Sequence, residues 1–198
     1  MEEVSKWVLI MNYGLFYKEV SFNRDAMNIV RKAISSPDLN WKKGSIHNSS
    51  RDTRSSEIAW LGDKDLLTML LRMQKKINRD ARWNLKIDGV EPVQFGIYGE
   101  GDFYDWHVDQ HSAPVRGKVR KISMSLFLND DFGGGEFDLE IYSPREDPRY
   151  KTFKSKPGTA LFFQGDQWHR VRPVTSGLRK SLVAWFYGPP YSLSLIHI

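Results

Sequence analysis

The chain has no cysteine among its 198 residues. Disulfides, thiolate metal sites and cysteine nucleophiles are therefore excluded together, leaving histidine and carboxylate as the main metal ligands. Histidine is scarce as well: His47, His107, His111, His169 and His197. No run approaches the roughly 18 apolar residues of a membrane span. The opening Met1-Glu2-Glu3-Val4-Ser5-Lys6 lacks the basic-then-apolar layout of a secretory signal. These absences predict a cytoplasmic protein with no membrane partner. Internal repeats and low-complexity tracts are also missing.

What is present suits a packed domain. Hydrophobic residues make up 40% of a 23.0 kDa chain, enough for one sizeable core. A net charge of +5 permits a nucleic acid or an acidic substrate, but the lysines and arginines are scattered, which describes a solvated face. Helices come first. Asn23 is placed to cap a helix over Arg24 to Ile34, ended by Ser35-Ser36-Pro37, and Asp63 to cap a second whose Leu66, Leu67, Leu70, Met73 and Ile77 form one apolar stripe. A short apolar segment before the first helix reads as a strand. Residues 38 to 57 turn polar, and Lys42 to Ser56 reads as a long loop.

From Val90 onward the texture changes to short apolar runs separated by glycine, proline and charge, the pattern of an antiparallel sandwich or barrel. Strands are predicted over Pro92 to Tyr98, Phe103 to Val108, Val119 to Leu128, Glu136 to Tyr142, Thr159 to Phe163, Trp168 to Pro173 and Lys180 to Tyr187, with clear turns at Gly133-Gly134-Gly135 and Lys156 to Thr159. Period two divides these strands into faces. Ile122, Met124, Leu126 and Leu128 make a wholly apolar face; Ser123, Ser125, Phe127 and Asn129 make a mixed one suited to a pocket. Arg179, Ser181, Val183 and Trp185 share one side of the last strand, as Gln94, Gly96 and Tyr98 do on an earlier one.

The stretch Tyr104-Asp105-Trp106-His107-Val108-Asp109 organises the rest. In an extended segment His107 and Asp109, two apart, leave on the same side and form a metal clamp. A second histidine from elsewhere completes a two-histidine, one-carboxylate facial set, which leaves open positions on a ferrous ion. His169, just before an apolar strand, is the best candidate. Arg179 follows ten residues later across Thr175-Ser176-Gly177, and a hairpin there sets the two strands side by side. Arginine over a metal pocket is a natural clamp for a dicarboxylate, because its planar fork gives two parallel charge-assisted hydrogen bonds. Asp105 and His111 are close enough in sequence to compete as ligands or to support them, although solvated loop positions fit both better.

Together these residues resemble the ferrous-iron, 2-oxoglutarate-dependent oxygenases, and within them the prolyl 4-hydroxylase-like branch. The resemblance implies an α+β protein: a double-stranded β-helix, or jelly roll, over about 90–190, with N-terminal helices packed on its major sheet. It implies one oxygenase domain over 1–190 and a tail over 191–198, in which His197 is set aside as a ligand. His107, Asp109 and His169 fall on the iron ligands, and Arg179 on the residue that binds the far carboxylate of 2-oxoglutarate with help from Tyr98. Tyr104 matches a pocket tyrosine, Trp185 a tryptophan beside the substrate, and Arg54 to Leu61 the segment where a substrate-covering loop joins the fold. Arg51 and Arg54 are placed to bond a peptide backbone. Phe127 departs from the pattern, standing where some members carry a further cosubstrate-binding tyrosine.

The cofactors so implied are Fe(II), 2-oxoglutarate and O2, with room for ascorbate. The implied reaction is oxidative decarboxylation to succinate and carbon dioxide, with hydroxylation of a prolyl residue in a peptide or protein, or of a related amino acid. Rival readings are a jelly-roll metal protein without oxygenase activity, a purely structural sugar- or peptide-binding sandwich, and a nucleic-acid demethylase of the same superfamily. The demethylases place a second arginine where this chain has Trp185. No stable nucleic-acid complex is therefore expected.

Overall fold

A computed structural model of the chain describes residues 16–44, 54–141, 149–154 and 156–191. The predicted opening strand falls partly outside these residues, as do His47, Arg51, much of the stretch 143–156 between two predicted strands and nearly all of the tail with His197. The two helices stand where expected, α1 at Arg24–Ile34 and α2 at Lys64–Asp80. Each is started by a side chain that satisfies an otherwise unpaired backbone donor. Asn23 Oδ1 accepts from the Ala26 N–H at 2.9 Å, and Asp63 Oδ1 from the Leu66 N–H at 2.8 Å.

The strands are β1 Tyr17–Ser21, β2 Lys42–Lys43, β3 Arg54–Ser55, β4 Glu57–Leu61, β5 Gly89–Val90, β6 Val93–Tyr98, β7 Phe103–His107, β8 Val119–Phe127, β9 Phe132–Gly134, β10 Phe137–Glu140, β11 Tyr150–Phe153, β12 Thr159–Gln164, β13 His169–Val171, β14 Val174–Gly177 and β15 Arg179–Gly188. A major antiparallel sheet runs β1-β12-β8-β15-β6-β4-β2, with β5 also paired to β15; a minor one runs β11-β10-β13-β7-β3; β9 and β14 pair with each other.

Side-chain alternation sorts the major sheet into two faces. One face, with Ile122, Met124, Leu126, Leu182, Ala184 and Phe186, buries its apolar groups against Val30 and Ala33 of α1 and Leu66, Leu70 and Ile77 of α2. At about 25 cal/mol per Å² of apolar surface removed from water, such packing is the dominant favourable contribution to the fold. The other face meets the minor sheet: Tyr98, Phe127, Leu161 and Phe163 pack with Phe137, Leu139, Phe153 and Val171. Between the sheets, toward one end, the side chains become polar. No helix among the described residues is long and apolar enough to cross a membrane.

Four local expectations are corrected. The polar stretch from Lys42 to Ser56 is not loop throughout: β2 pairs β4, and β3 pairs β7 through Arg54↔Tyr104 and Ser55↔Phe103. Between the predicted strands Glu136 to Tyr142 and Thr159 to Phe163, where no strand is predicted, Tyr150–Phe153 form β11 on β10. β2, β3 and β11 are short strands with basic residues at sheet edges, where no apolar alternation is required. Gly133-Gly134-Gly135 and Thr175-Ser176-Gly177 are not simple turns, since β9 and β14 pair there. Nor is there a hairpin between the strands of His169 and Arg179. β13 lies in the minor sheet and β15 in the major one, so the two residues approach one pocket from opposite walls.

Candidate metal centre

His107 and His169 are directly opposed in the β7–β13 register, with ring centroids 4.1 Å apart. β7 ends at His107, so Asp109 arrives on a loop rather than by strand alternation, yet it converges on the same point. His107 Nε2 lies 3.8 Å from one Asp109 carboxylate oxygen and His169 Nε2 lies 3.4 Å from the other. One ligand atom from each of the three residues falls within 4.8 Å of the others, the one such cluster among the described residues.

The rest of each ring is already committed. His107 Nδ1 bonds the Asp105 carbonyl at 2.7 Å, and His169 Nδ1 bonds the Gln167 carbonyl at 3.0 Å. With Nδ1 donating its proton to the main chain, Nε2 keeps its lone pair for the pocket. Burial, helped by the neighbouring His169, pushes the His107 pKa down to about 3, so the ring is neutral at physiological pH. Burial opposes the Asp109 charge, yet the neighbouring His169 and His107 hold its pKa below the usual carboxylate range. Asp109 Oδ2 is buried with no hydrogen-bond partner among the described residues. A buried carboxylate oxygen without a partner beside two imidazole lone pairs fits a divalent cation, and nitrogen–oxygen donors without thiolate, arranged facially, suit ferrous iron.

A few residues away the imbalance is reversed. Arg179 is 1% exposed; its Nε donates to the Gly135 carbonyl at 2.9 Å and its Nη1 to Ser181 Oγ at 3.0 Å, while Nη2 has no partner among the described residues. Gly135 takes a φ of 63°, and a Cβ there would meet Arg179 Cδ at 3.0 Å, so glycine gives the arginine room. Burial lowers the guanidinium pKa from its ordinary value. A buried cation with an unspent donor calls for an anion. The Tyr98 and Phe127 rings lie 5.4 and 5.7 Å from its guanidinium carbon, the phenylalanine supplying a wall where a tyrosine would supply a hydroxyl.

The other sequence-predicted residues complete the pocket. Tyr104 stacks on His107 at 3.5 Å with the planes 7° apart, and Arg54 lies over the far side of Tyr104 at 4.6 Å. Arg54 is held by Gln94 Oε1 at 2.7 Å and Ser56 Oγ at 2.8 Å. Burial pushes the Tyr104 phenol up to about 12, so it stays protonated. Trp185 is buried, with Arg120 4.0 Å from its ring centroid and Trp60 at 5.8 Å. His111 and Asp105 have exposed side chains and are not in the cluster; Asp105 contributes only its carbonyl. Trp60, 43% exposed, and Arg120, doubly bonded to Glu91 at 2.7 and 2.6 Å, are the residues that sequence reasoning missed. Trp60 is brought beside this pocket by the register Trp60↔Gln94, which is non-local and leaves no signal in the sequence.

A sequence profile described as 2OG-Fe(II) oxygenase superfamily matches residues 93–187, the span that carries the His-x-Asp pair, the distal histidine and Arg179. Over this span the chain is similar to that superfamily. A PKHD-type hydroxylase of Acaryochloris marina is 35% identical over 98 residues, covering 48% of this chain and 42% of that protein. Another, of Bordetella pertussis, is 33% identical over 103 residues, covering 48% and 43%. The chain thus spans less than half the length of these curated relatives.

Solved structures extend the likeness in fold. A Pseudomonas putida prolyl-4-hydroxylase superposes with a TM-score of 0.62 at 19% identity, over 89% of this chain and 93% of that one. A viral collagen prolyl hydroxylase of Paramecium Bursaria Chlorella virus-1, solved as a 2OG complex, gives 0.64 at 19% identity, over 87% and 96%. A Trichoplax adhaerens prolyl hydroxylase, in complex with a hypoxia inducible factor peptide fragment, gives 0.62 at 20% identity, over 94% and 90%.

Proposed function

We propose that residues 1–190 form one catalytic domain with a double-stranded β-helix core, and that this domain is a Fe(II)- and 2-oxoglutarate-dependent dioxygenase acting on a prolyl residue of a peptide or protein, or on a related amino acid. The observation that carries the reading is the pairing, in one pocket, of the His-Asp-His cluster, whose buried Asp109 Oδ2 has no hydrogen-bond partner among the described residues, with buried Arg179, whose Nη2 has none among them either. His107, Asp109 and His169 would hold the iron. Arg179, backed by Tyr98, would hold the far carboxylate of 2-oxoglutarate. Ferrous iron with 2-oxoglutarate and O2 supplies oxidative decarboxylation to succinate and carbon dioxide and transfer of one oxygen atom to a substrate C–H bond.

The chain's own share is alignment and exclusion of water. The two Nδ1 bonds hold both imidazoles ready as ligands before a metal binds, and positioning of this kind is where much of a catalytic barrier is removed. Phe137 and Phe163, with centroids 5.6 and 4.8 Å from the His169 ring, keep that wall apolar. At the mouth, Trp185 and Trp60 offer an aromatic corner that suits a compact apolar ring such as proline's, and Arg54 stands where it can bond a peptide carbonyl. Aromatic walls also stack on bases, so methylated single-stranded nucleic acid is the control substrate. A panel of proline-containing peptides, free amino acids and methylated oligonucleotides, scored by mass for the gain of one oxygen atom or the loss of a methyl group, tests the assignment. Oxygen on a prolyl ring is expected; demethylation without any prolyl product would replace the substrate and keep the site.

A further inference from the structure

We propose that the turn Gly165-Asp166-Gln167-Trp168 positions two metal ligands at once, and that Gln167 is a positioning residue for His169. This rests on the reading that the His-Asp-His cluster holds a divalent metal. Gln167 sits two residues before a ligand and never enters the pocket, yet its side chain is buried at 3% exposure. Its amide is bonded at both ends to main chain from different strands. Oε1 accepts from the Gln164 N–H at 2.9 Å, at the end of β12, and Nε2 donates to the Glu140 carbonyl at 3.0 Å, at the end of β10. Its own N–H donates to the Gln164 carbonyl at 3.1 Å. The Gln167 carbonyl, which receives His169 Nδ1, is therefore fixed relative to the major sheet through β12 and to the minor sheet through β10.

The other end of the same turn governs Asp109. The Gly165 carbonyl accepts from both the Asp109 N–H at 3.0 Å and the Gln110 N–H at 2.8 Å, while the Gly165 N–H donates to the Lys121 carbonyl at 3.0 Å. A Cβ on residue 165 would stand 2.7 Å from the Arg120 carbonyl oxygen, so a side chain there displaces the turn or β8. Asp109 lies beyond the end of β7 and has no ladder of its own; these bonds replace one. The 3.4 Å between His169 Nε2 and Asp109 Oδ2 is thus set by a single turn that belongs to neither ligand's neighbour in the cluster, His107.

The chemistry of Gln167 makes the proposal separable from packing. Leucine or methionine at 167 fills similar volume but leaves the Gln164 N–H and the Glu140 carbonyl without partners. Glutamate retains the bond to the Gln164 N–H and sets an oxygen against the Glu140 carbonyl. Partners that orient metal ligands typically contribute 10- to 100-fold to metal affinity. The test is titration of the metal-free full chain with Co(II), followed by its ligand-field absorption spectrum, for wild type, Gln167→Leu, Gln167→Glu and Gly165→Ala. Leu70→Ala, in the helix-facing core, serves as a control for lost stability. Both Gln167 variants and Gly165→Ala are expected to bind Co(II) about 10- to 100-fold more weakly with an altered spectrum. Leu70→Ala is expected to keep wild-type affinity and spectrum despite a lowered Tm. Wild-type affinity and spectrum in Gln167→Glu and in whichever of Gln167→Leu and Gly165→Ala folds would overturn the proposal. A Leu70→Ala control that loses affinity equally would reduce the effect to stability and overturn it as well. Wild-type chain that binds no Co(II) would instead overturn the metal reading beneath it.

Discussion

Arg179 and Tyr98 are register partners across β15 and β6, and the guanidinium carbon of the one lies 5.4 Å from the ring centroid of the other. The tyrosine ring and the bonds to Gly135 and Ser181 hold the fork still, leaving Nη2 without a partner among the described residues. Arg179→Ala should raise the 2-oxoglutarate concentration needed for turnover by the equivalent of about 2–5 kcal/mol, the cost of removing one partner of a buried charged pair. Co(II) affinity should be nearly unchanged, because no bond from Arg179 reaches the metal ligands. Parallel 2-oxoglutarate and Co(II) titrations check both halves.

The faces behind that pairing were legible from residue order. Strand alternation is local, so Ile122, Met124 and Leu126 could be separated from Ser125 and Phe127, and Arg179, Ser181 and Trp185 aligned, without knowing any partner strand. His107 and His169 were legible because few residue types bind metal and cysteine is absent. What remained hidden depends on pairing. Trp60 reaches Trp185 only because β4 lies beside β6, and Gln167 matters only because the ends of β10 and β12 meet it. His169 and Arg179, close in sequence, part into different sheets, a choice that no local spacing encodes.

Trp60→Ala should weaken the peptide substrate through KM, with the 2-oxoglutarate requirement unchanged. Trp60 packs on Trp185 at 5.8 Å, and aromatic pairs of this kind contribute about 0.5–1.5 kcal/mol beyond burial, so a KM increase of roughly 2- to 10-fold is expected. Steady-state kinetics with each substrate varied in turn will read it. A change confined to kcat would contradict a role at the mouth.

Tyr104→Phe should preserve iron binding and the stack on His107, since the ring and not the hydroxyl lies against the imidazole. Tyr104→Ala removes the stack and the support for Arg54, and should weaken Co(II) binding several-fold. Equal Co(II) affinities for the two variants would show that the stack does not hold the ligand.

Asp138 gives the fold an acid-sensitive contact behind the site. On the outer side of the minor sheet its buried carboxylate accepts from Arg170 Nε at 2.7 Å, Arg172 Nε at 2.9 Å and Thr152 Oγ1 at 2.7 Å. Burial opposes the charge, but hydrogen bonds from Arg172, Thr152 and Arg170 hold the pKa below 3.8. The folded state therefore binds this proton less readily than the unfolded chain. The stabilisation is fully present above the unfolded value, and is lost as pH falls from there through the lower folded one. Asp138→Asn should cost about 3 kcal/mol near neutrality, the low end for breaking a buried pair, because both arginines reach solvent. Urea unfolding at several pH values should show wild type and variant converging below about pH 4. A gap that persists unchanged in acid would assign the loss to packing.

Whether one pocket unites an iron site with a 2-oxoglutarate site is decided by measuring succinate. Fe(II)-loaded chain, given 2-oxoglutarate, O2 and a proline-containing peptide, should form succinate and hydroxylated peptide in equal amounts. His169→Ala, carried through the same preparation, should form neither. Absence of succinate from the iron-loaded wild-type chain with every peptide and amino acid tried, or undiminished succinate from His169→Ala, would show that the pocket does not join the two sites.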